Sequence, residues 1–286
     1  MINIRGITCS LHPLFVIVML TSVLTGHFIE LITLFTIVLI HEMGHMSAAM
    51  IFGIRVRSVQ LLPFGGVVTI EDGGKMTVWK EIVIALAGPL QNGIMIAIAM
   101  IFKELGSGDG AFLSYVIHGN AVIALFNLLP ILPLDGGKIT QAFVSRYIAY
   151  HSTLLWSSRI SIVASSFVIV YSLLPLVQGE KSIQLNLLMI GAFLFYSNFV
   201  DYKNLPYRFM RFLMNREPLY LKYSINGNYG HPIIADSAKH LGSILRLFKR
   251  DKYHLIYVMN KQGIIEGVLP EQSVISAYFA QDRRLP

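Results

Sequence analysis

Cysteine is nearly absent from this chain: Cys9 is the one cysteine among 286 residues. A single thiol excludes an internal disulfide and a site built from paired thiolates, so a transition metal would have to be held by histidine and carboxylate. Charged residues are also scarce, at 14% against about 25% in an ordinary soluble domain. Hydrophobic residues make up 54% and the mean hydropathy is +0.60. These values indicate an integral membrane protein with a soluble appendage.

The net charge of +7 lies almost entirely after the last apolar segment. From Asp201 onward there are 13 Lys and Arg against 7 Asp and Glu, whereas the first 200 residues hold 10 against 9. Positive charge beside a membrane span is typical of the cytoplasmic face and favours contact with anionic membrane lipid. No recognised nucleic-acid-binding motif accompanies the charge, so nucleic acid is not expected as a partner.

Several apolar stretches are long enough to cross a bilayer, which takes about 20 residues. The six candidates are 11–28, 30–53, 81–102, 112–131, 156–177 and 183–200. Lys and Arg are concentrated in the connections after the second and fourth stretches: Arg55, Arg57, Lys75, Lys80, Lys138 and Arg146. This pattern predicts an α-helical polytopic membrane protein of about six transmembrane helices with both termini in the cytoplasm.

The second stretch contains the sequence HEMGH at its centre, residues 41–45. On a helix His41 and His45 are four residues apart, so both imidazoles project from one face and can bind one Zn²⁺. Glu42 lies beside them, where it can take a proton from a water molecule at the metal. Unpaired imidazoles and a carboxylate are costly inside a membrane, which disfavours a chance match to this motif.

A hydrolytic zinc ion usually has three protein ligands, and Asp135 is the candidate for the third. It follows the segment NLLPILPLDGG, in which Pro130 and Pro133 interrupt a helix and two glycines permit a tight turn. Broken backbone at membrane depth is tolerated where it lines a cavity or is buried in protein. The alternative is that Asp135 is an ordinary turn residue, because Asp-Gly is a common turn pair.

Together these motifs resemble the site-2 protease family of intramembrane zinc metalloproteases. The resemblance is carried by HEMGH within a span, by LLPFGGVV, by the AGP of the third span and by NLLPILPLDGG, and it is strongest to the sporulation branch of that family. It implies that His41, His45 and Asp135 bind zinc and that Glu42 is the catalytic carboxylate. It further implies a sigma-factor precursor as substrate, inhibitory membrane proteins as partners, and a location in the membrane surrounding the forespore.

Further residues are predicted to bind substrate or to support the site. Asn127 can hydrogen-bond the substrate backbone or the oxyanion, although an asparagine in a span is as often a link between helices. Gln91 and Asn92 raise the same two alternatives, with helix linkage favoured. The segment 61–72 is expected to form a short hairpin or re-entrant loop whose edge could pair with a substrate strand. The supporting set is therefore Asn127, Pro133, Phe64, Gly65 and Gly66.

The region after residue 223 has the pattern of a soluble α/β domain. SAKHLGSILRLFKR has helical spacing, HLIYVMN and IIEGVL flank a turn as a strand hairpin, and EQSVISAYFA continues as a helix. This order resembles a single cystathionine-beta-synthase (CBS) motif. Because such motifs pair, the apolar sheet face is expected to meet a second copy of the chain, giving a homo-oligomer. ATP is a candidate ligand, but Ser273 stands where an acidic residue commonly contacts the ribose, and a plain packing domain is an equal alternative.

The predicted organisation is a six-span protease domain at 1–200 with its core at 30–138, a basic linker at 201–223, and a single CBS-like domain at 224–286. The predicted function is zinc-dependent hydrolysis of a peptide bond in a membrane-associated protein. A metal-ion transporter is the main alternative, because intramembrane His and Asp can line an ion pathway. A catalytically silent scaffold is a second alternative, although all three HExxH positions are intact.

Overall fold

The computed structural model describes residues 2–4, 7–11, 23–26, 28–62, 65–71, 76–177, 184–216, 219–220, 223, 230–236 and 238–282. Among these residues five helices are long and apolar enough to cross a membrane. They are α1 (Phe28–Ile51), α2 (Val78–Glu104), α3 (Gly110–Asn127), α5 (Tyr150–Val177) and α6 (Leu185–Lys203). They correspond to the second to sixth predicted spans. The predicted first span, 11–28, lies largely outside the described residues.

Helix α2 is the central element of the membrane region, since it packs against α1, α3 and the short helix α4 (Asp135–Tyr147). Its apolar window is 39% buried, whereas the other four candidate spans are 11–22% buried. The contact with α1 is close: a Cβ added to Gly44 would lie 2.6 Å from the carbonyl oxygen of Ala87. Close approach through small residues is the usual way in which helices associate in a membrane.

A four-stranded sheet packs against α1 through its strands β3 and β4. Its order is β1 (Ile2–Ile4), β2 (Ile7–Leu11), β3 (Arg55–Leu62) and β4 (Gly65–Glu71), with β2 and β3 parallel and the other two pairs antiparallel. The hairpin predicted within 61–72 is therefore present as β3 and β4, and its first strand begins earlier than expected. Residues 63–64 of its turn lie outside the described residues.

The segment between α3 and α4 turns back sharply at Pro130 and Pro133. The fourth span was predicted to reach residue 131, but α3 ends at Asn127, because a residue that precedes proline is disfavoured in the helical region. Helix α4, which was not predicted, then packs directly on this turn. A Cβ on Gly136 would lie 2.1 Å from the carbonyl oxygen of Leu128, so the two glycines of LDGG permit the contact.

The C-terminal part contains a three-stranded sheet of β5 (His231–Asp236), β6 (His254–Met259) and β7 (Ile265–Pro270). Strands β6 and β7 form the predicted antiparallel hairpin, and α9 (Glu271–Asp282) is the predicted helix after it. The helix expected over SAKHLGSILRLFKR is shorter, because α8 covers only Leu241–Leu245. Strand β5, which pairs parallel to β6, was not predicted.

Helix α7 (Leu205–Met214) lies in the segment that was interpreted as a basic linker. Its Leu213 is 2% exposed and packs in one hydrophobic core with Ile256, Phe248 and Val274 of the C-terminal part. Directly after it, the guanidinium of Arg216 donates to both carboxylate oxygens of Glu271, at 2.9 and 2.7 Å, and both side chains are almost fully buried. The C-terminal core thus includes residues that precede position 223.

Candidate metal centre

Three buried side chains from two helices converge on one point. His41 and His45 extend from the same face of α1, and Asp135 begins α4. The Oδ2 atom of Asp135 lies 3.1 Å from His41 Nε2 and 3.0 Å from His45 Nε2, and the two Nε2 atoms are 3.2 Å apart. The three residues are 2–7% exposed. The structure therefore brings together the three predicted metal ligands, of which His41 and Asp135 are 94 residues apart along the chain.

The orientation of the His45 ring is set by a carbonyl oxygen of α2. Nδ1 of His45 lies 2.7 Å from the carbonyl oxygen of Ile84. A carbonyl oxygen only accepts hydrogen bonds, so Nδ1 carries the proton and donates it. In the neutral ring Nε2 then presents its lone pair to the point shared with His41 and Asp135.

The His41 ring is oriented by a chain of two asparagines across three helices. The Asn120 amide nitrogen donates to the carbonyl oxygen of Val116, at 2.9 Å, so the Asn120 amide oxygen faces Asn92 and accepts from its Nδ2 at 2.9 Å. The Asn92 Oδ1 then lies 2.5 Å from Nδ1 of His41 and accepts a hydrogen bond from its N–H group. Both histidines therefore have the same tautomer, with Nε2 available as a ligand atom.

Asp135 is held by the turn that precedes it and by a lysine one turn later. The backbone N–H of Leu132 donates to Ser161 Oγ of α5 at 2.9 Å, and its carbonyl oxygen accepts from Asn198 Nδ2 of α6 at 2.5 Å. Lys138 Nζ lies 3.1 Å from the other carboxylate oxygen, Oδ1 of Asp135. Oδ2 is thereby left to face the two histidines.

Helix α2 contacts the two imidazoles through Gly88. A Cβ built on Gly88 would lie 2.4 Å from Nε2 of His45 and 2.7 Å from Cε1 of His41. Both distances are far shorter than a van der Waals contact. The glycine of the AGP motif therefore gives the two imidazoles the space they occupy.

The three converging atoms fit a zinc ion. Each of Nε2, Nε2 and Oδ2 presents a lone pair toward the others, an arrangement that a cation between them satisfies. Zinc binds such atoms at about 2.0–2.2 Å, and neighbouring ligand atoms around a tetrahedral zinc ion lie about 3.3 Å apart. The observed separations of 3.0–3.2 Å are close to that value. The group could hold a metal ion, and a hydrolytic zinc ion with three protein ligands keeps its fourth position for water.

The group of three converging residues does not include the other predicted site residues. Glu42 follows His41 on α1 and is half-buried. The Asn127 amide donates to the carbonyl oxygen of Ile123 in its own helix, at 3.0 Å, and Pro133 is half-buried in the turn two residues before Asp135. Gly65 and Gly66 begin β4, where they pair with Leu62 and Leu61, and Phe64 lies outside the described residues.

Asn92 is the residue that sequence reasoning undervalued, since helix linkage was favoured for it. It is fully buried and does link helices, but one of its two bonds is to a ring nitrogen of a predicted metal ligand. A signal was present in the sequence: Asn92 stands four residues after Gly88, so both lie on the face of α2 that meets HEMGH.

Replacing Asn92 with alanine is expected to weaken zinc binding about 10- to 100-fold, because His41 loses the acceptor that fixes its tautomer. Zinc affinity measured by competition with a chelator of known affinity tests this. Asn127→Ala is the matched control, since the Asn127 amide bonds within its own helix. Equal zinc affinity of wild type and Asn92→Ala would contradict the role assigned to Asn92.

Comparison with known proteins identifies this arrangement. Residues 29–107 match the model for Peptidase family M50. Stage IV sporulation protein FB of Bacillus subtilis is 30% identical over 95% of this chain and 91% of its own length. Zinc metalloprotease MJ0392 of Methanocaldococcus jannaschii is 28% identical over 68% of this chain and 57% of its own length.

A solved structure agrees with these matches. The site-2 protease from Methanocaldococcus jannaschii aligns with a TM-score of 0.57 and 25% identity, over 71% of this chain and 94% of that one. The family model matches only residues 29–107. The similarity to the sporulation protein extends over nearly the whole length of both chains. This chain is therefore a member of Peptidase family M50, the site-2 protease family of intramembrane zinc metalloproteases.

Proposed function

We propose that His41, His45 and Asp135 are the zinc ligands of this protease, that Glu42 is its catalytic carboxylate, and that its substrate is the precursor of a sporulation sigma factor. The convergence of three buried ligand atoms within 3.2 Å of one another carries the assignment of the ligands. The similarity to a sporulation protein over nearly the whole chain supports the substrate class.

The reaction is the addition of water across a peptide bond. Zinc, when bound, lowers the pKa of water and polarises the carbonyl group under attack. Glu42 takes the proton from the attacking water on a carboxylate oxygen and returns it to the leaving amine as the C–N bond breaks. His41 and His45 do not move protons. Their Nδ1–H groups are bonded to Asn92 and to the Ile84 carbonyl oxygen, respectively, and their Nε2 atoms face the metal position.

Substrate positioning is assigned to the hairpin and to the broken segment before Asp135. Strand β4 is last in the order of the described sheet and packs against α1, the helix that contains HEMGH, so its outer edge is the proposed place for a substrate strand. A peptide must be extended before attack, and strand pairing provides that form. Phe64, Gly65 and Gly66 lie at the start of this edge, and Asn127 and Pro133 precede the third ligand.

The C-terminal part is proposed to pair with the same part of a second copy of the chain. One face of its sheet is covered by the core around Ile256. On the other face Ile234, Tyr257 and Val268 are cross-strand neighbours, and Ile234 and Val268 are 68% and 48% exposed. A sheet with one apolar face open is typical of a unit completed by its own kind. The CBS-like identity and a bound nucleotide stay predictions.

Orientation and location also stay predictions. The basic connections after α1 and α3 and the basic C-terminal part favour both termini in the cytoplasm. The forespore membrane and inhibitory membrane proteins are expected from the sporulation relative alone. Membership of a protease family disfavours the alternatives of an ion transporter and of a silent scaffold.

The proposal is tested with the purified full chain and a tagged sporulation sigma-factor precursor. Removing metal with a chelator is expected to abolish cleavage, and adding Zn²⁺ is expected to restore it. Asp135→Asn is expected to purify with much less zinc, because it loses an anionic ligand. Asp109→Asn is the matched control, since Asp109 is an exposed cap at the start of α3.

Two outcomes would count against separate parts of the proposal. Full cleavage by the metal-free protein would contradict the zinc mechanism at these residues. Cleavage of another membrane protein, but not of the sigma-factor precursor, would contradict the substrate assignment and leave the ligand assignment standing.

A further inference from the structure

Within the described residues a short stretch of the C-terminal part, residues 248–251, here called the clamp segment, bonds to both α2 and α5 of the membrane region. The Arg250 guanidinium donates to the carboxylate of Glu81 in α2 and, at 3.2 Å, to the carbonyl oxygen of Met76. One carboxylate oxygen of Asp251 accepts from the backbone N–H of Val78 at 3.0 Å. These contacts join residues about 170 positions apart.

The clamp segment supplies what the start of α2 lacks. Helix N-termini have backbone N–H groups without partners in the helix, and a capping side chain normally satisfies one of them. Thr77 is the N-cap residue, yet within the described part of the chain its side chain makes no capping bond. Asp251 takes that place from another domain, and its negative charge also suits the positive end of the helix.

The first turn of α2, which the clamp segment contacts, lies close along the helix to the residues that contact the metal centre. Glu81 lies three residues before Ile84, whose carbonyl oxygen orients His45, and seven before Gly88, which contacts both imidazoles. Residues at these spacings share one face of a helix. A shift or rotation of the first turn of α2 would therefore move the atoms that contact His45.

The same segment also touches the second helix that supports the centre. The backbone N–H of Tyr150, at the start of α5, donates to the carbonyl oxygen of Phe248 at 2.9 Å. Further along α5, Ser161 accepts from Leu132 in the turn that carries Asp135. The clamp segment thus contacts the starts of both α2, which orients His45, and α5, which bonds to the turn before Asp135.

We infer that Arg250 and Asp251 are positioning residues of the protease, which act through α2 to hold the Ile84 carbonyl and Gly88 against His45. This inference rests on the ligand set proposed above. The C-terminal part then helps to hold His45 in its position at the metal centre. By reciprocity, metal binding strengthens the contact between the two parts.

The local backbone shows that the contact is built into the segment. Asp251 has a φ of 57°, in the left-handed region that a residue with a side chain rarely adopts. A glycine would adopt this conformation with less strain. An aspartate here costs stability in its own turn, and the capping bond to Val78 gives a physical reason for it.

The test uses the zinc-loaded full chain and measures the rate of zinc release to a chelator together with hydrogen exchange of the α2 amides. Arg250→Ala and Glu81→Ala are each expected to speed zinc release about tenfold, the size of effect typical of groups that orient a metal ligand. The double variant is expected to release zinc no faster than Arg250→Ala alone, because Arg250→Ala already removes the contact with Glu81. Exchange is expected to rise at residues 79–85 and not at residues 95–103.

Asp251→Gly separates positioning from folding. It relieves the left-handed backbone and removes the acceptor for Val78, so faster zinc release is expected without loss of the C-terminal fold. Lys261→Ala, which removes an exposed cation in the turn between β6 and β7, is the matched control and is expected to behave as wild type.

Unchanged zinc release in Arg250→Ala and Asp251→Gly would overturn the inference, as would effects of Arg250→Ala and Glu81→Ala that multiply in the double variant. If Arg250→Ala unfolds, Glu81→Ala and Asp251→Gly carry the test, since each removes one partner atom of the contact, and unchanged zinc release in both would overturn the inference. His45→Ala in the same experiment keeps the two proposals apart. A His45→Ala protein that holds zinc like wild type would contradict the proposed ligand set instead.

Discussion

Replacing Glu42 with glutamine is expected to reduce peptide cleavage by about 10²- to 10⁴-fold, the usual contribution of a positioned general acid or base. Glutamine has almost the same shape as glutamate but cannot accept a proton at neutral pH. Zinc is expected to stay bound, because the three converging ligand atoms belong to His41, His45 and Asp135. Cleavage of the precursor and zinc content are measured on the same preparation.

Loss of cleavage with zinc content unchanged would identify Glu42 as the general base rather than a metal ligand. A variant that lost both would indicate a ligand or a structural residue. Glu104→Gln is the matched control, because it makes the same chemical change outside the metal centre. Glu104 is exposed at the far end of α2. Cleavage by Glu42→Gln within about threefold of wild type would be far outside the range of a lost general base and would remove Glu42 from the mechanism.

The group that could hold a metal was predictable because each of its residues stands in a short, recognisable sequence pattern. His41 and His45 share a helix face through a spacing of four, which any helix imposes. Asp135 was predictable for a different reason: a carboxylate beside a proline-broken helix end needs a partner at membrane depth. The same physics explains why five predicted spans appear as helices, since a helix satisfies its backbone internally in lipid.

The groups that orient those ligands were not predictable, because they depend on packing between distant segments. The Ile84 carbonyl that holds His45 is a backbone atom and has no signature in the sequence. Asn92 could be named but not assigned, since its partner depends on how α2 rotates against α1. The contact of Arg250 with Glu81 joins positions 169 residues apart, with no local pattern at either end.

The C-terminal part shows the same limit in its secondary structure. Strands β6 and β7 are joined by a short turn, which sequence pattern detects. Strand β5 pairs parallel to β6 across a connection that contains α8, and its pairing cannot be inferred from neighbouring residues. Helix α7 was not predicted, because its basic residues favoured a linker. Its Leu213 nevertheless packs in the C-terminal core.

Gly88→Ala is the second change with a large expected effect, because it inserts one methyl group into the metal centre. The new Cβ would lie 2.4 Å from His45 Nε2, a separation that real Cβ atoms do not tolerate. Either the imidazole leaves its position or α2 moves away from α1, and a displacement of about 1 Å can lower activity about 100-fold. Zinc content and cleavage are both expected to fall, since the displaced atom is a ligand atom.

Gly93→Ala makes the same chemical change on the same helix where a Cβ would meet nothing within 4 Å, so it is the matched control. In a helix interior this substitution is expected to stabilise by up to about 1 kcal/mol, so zinc content and cleavage should equal those of wild type. If Gly88→Ala kept full zinc and full activity while Gly93→Ala did the same, the close approach of α2 to the imidazoles would not be needed for the chemistry. Loss in Gly88→Ala alone would show that the glycine of the AGP motif acts by leaving room for two metal ligands.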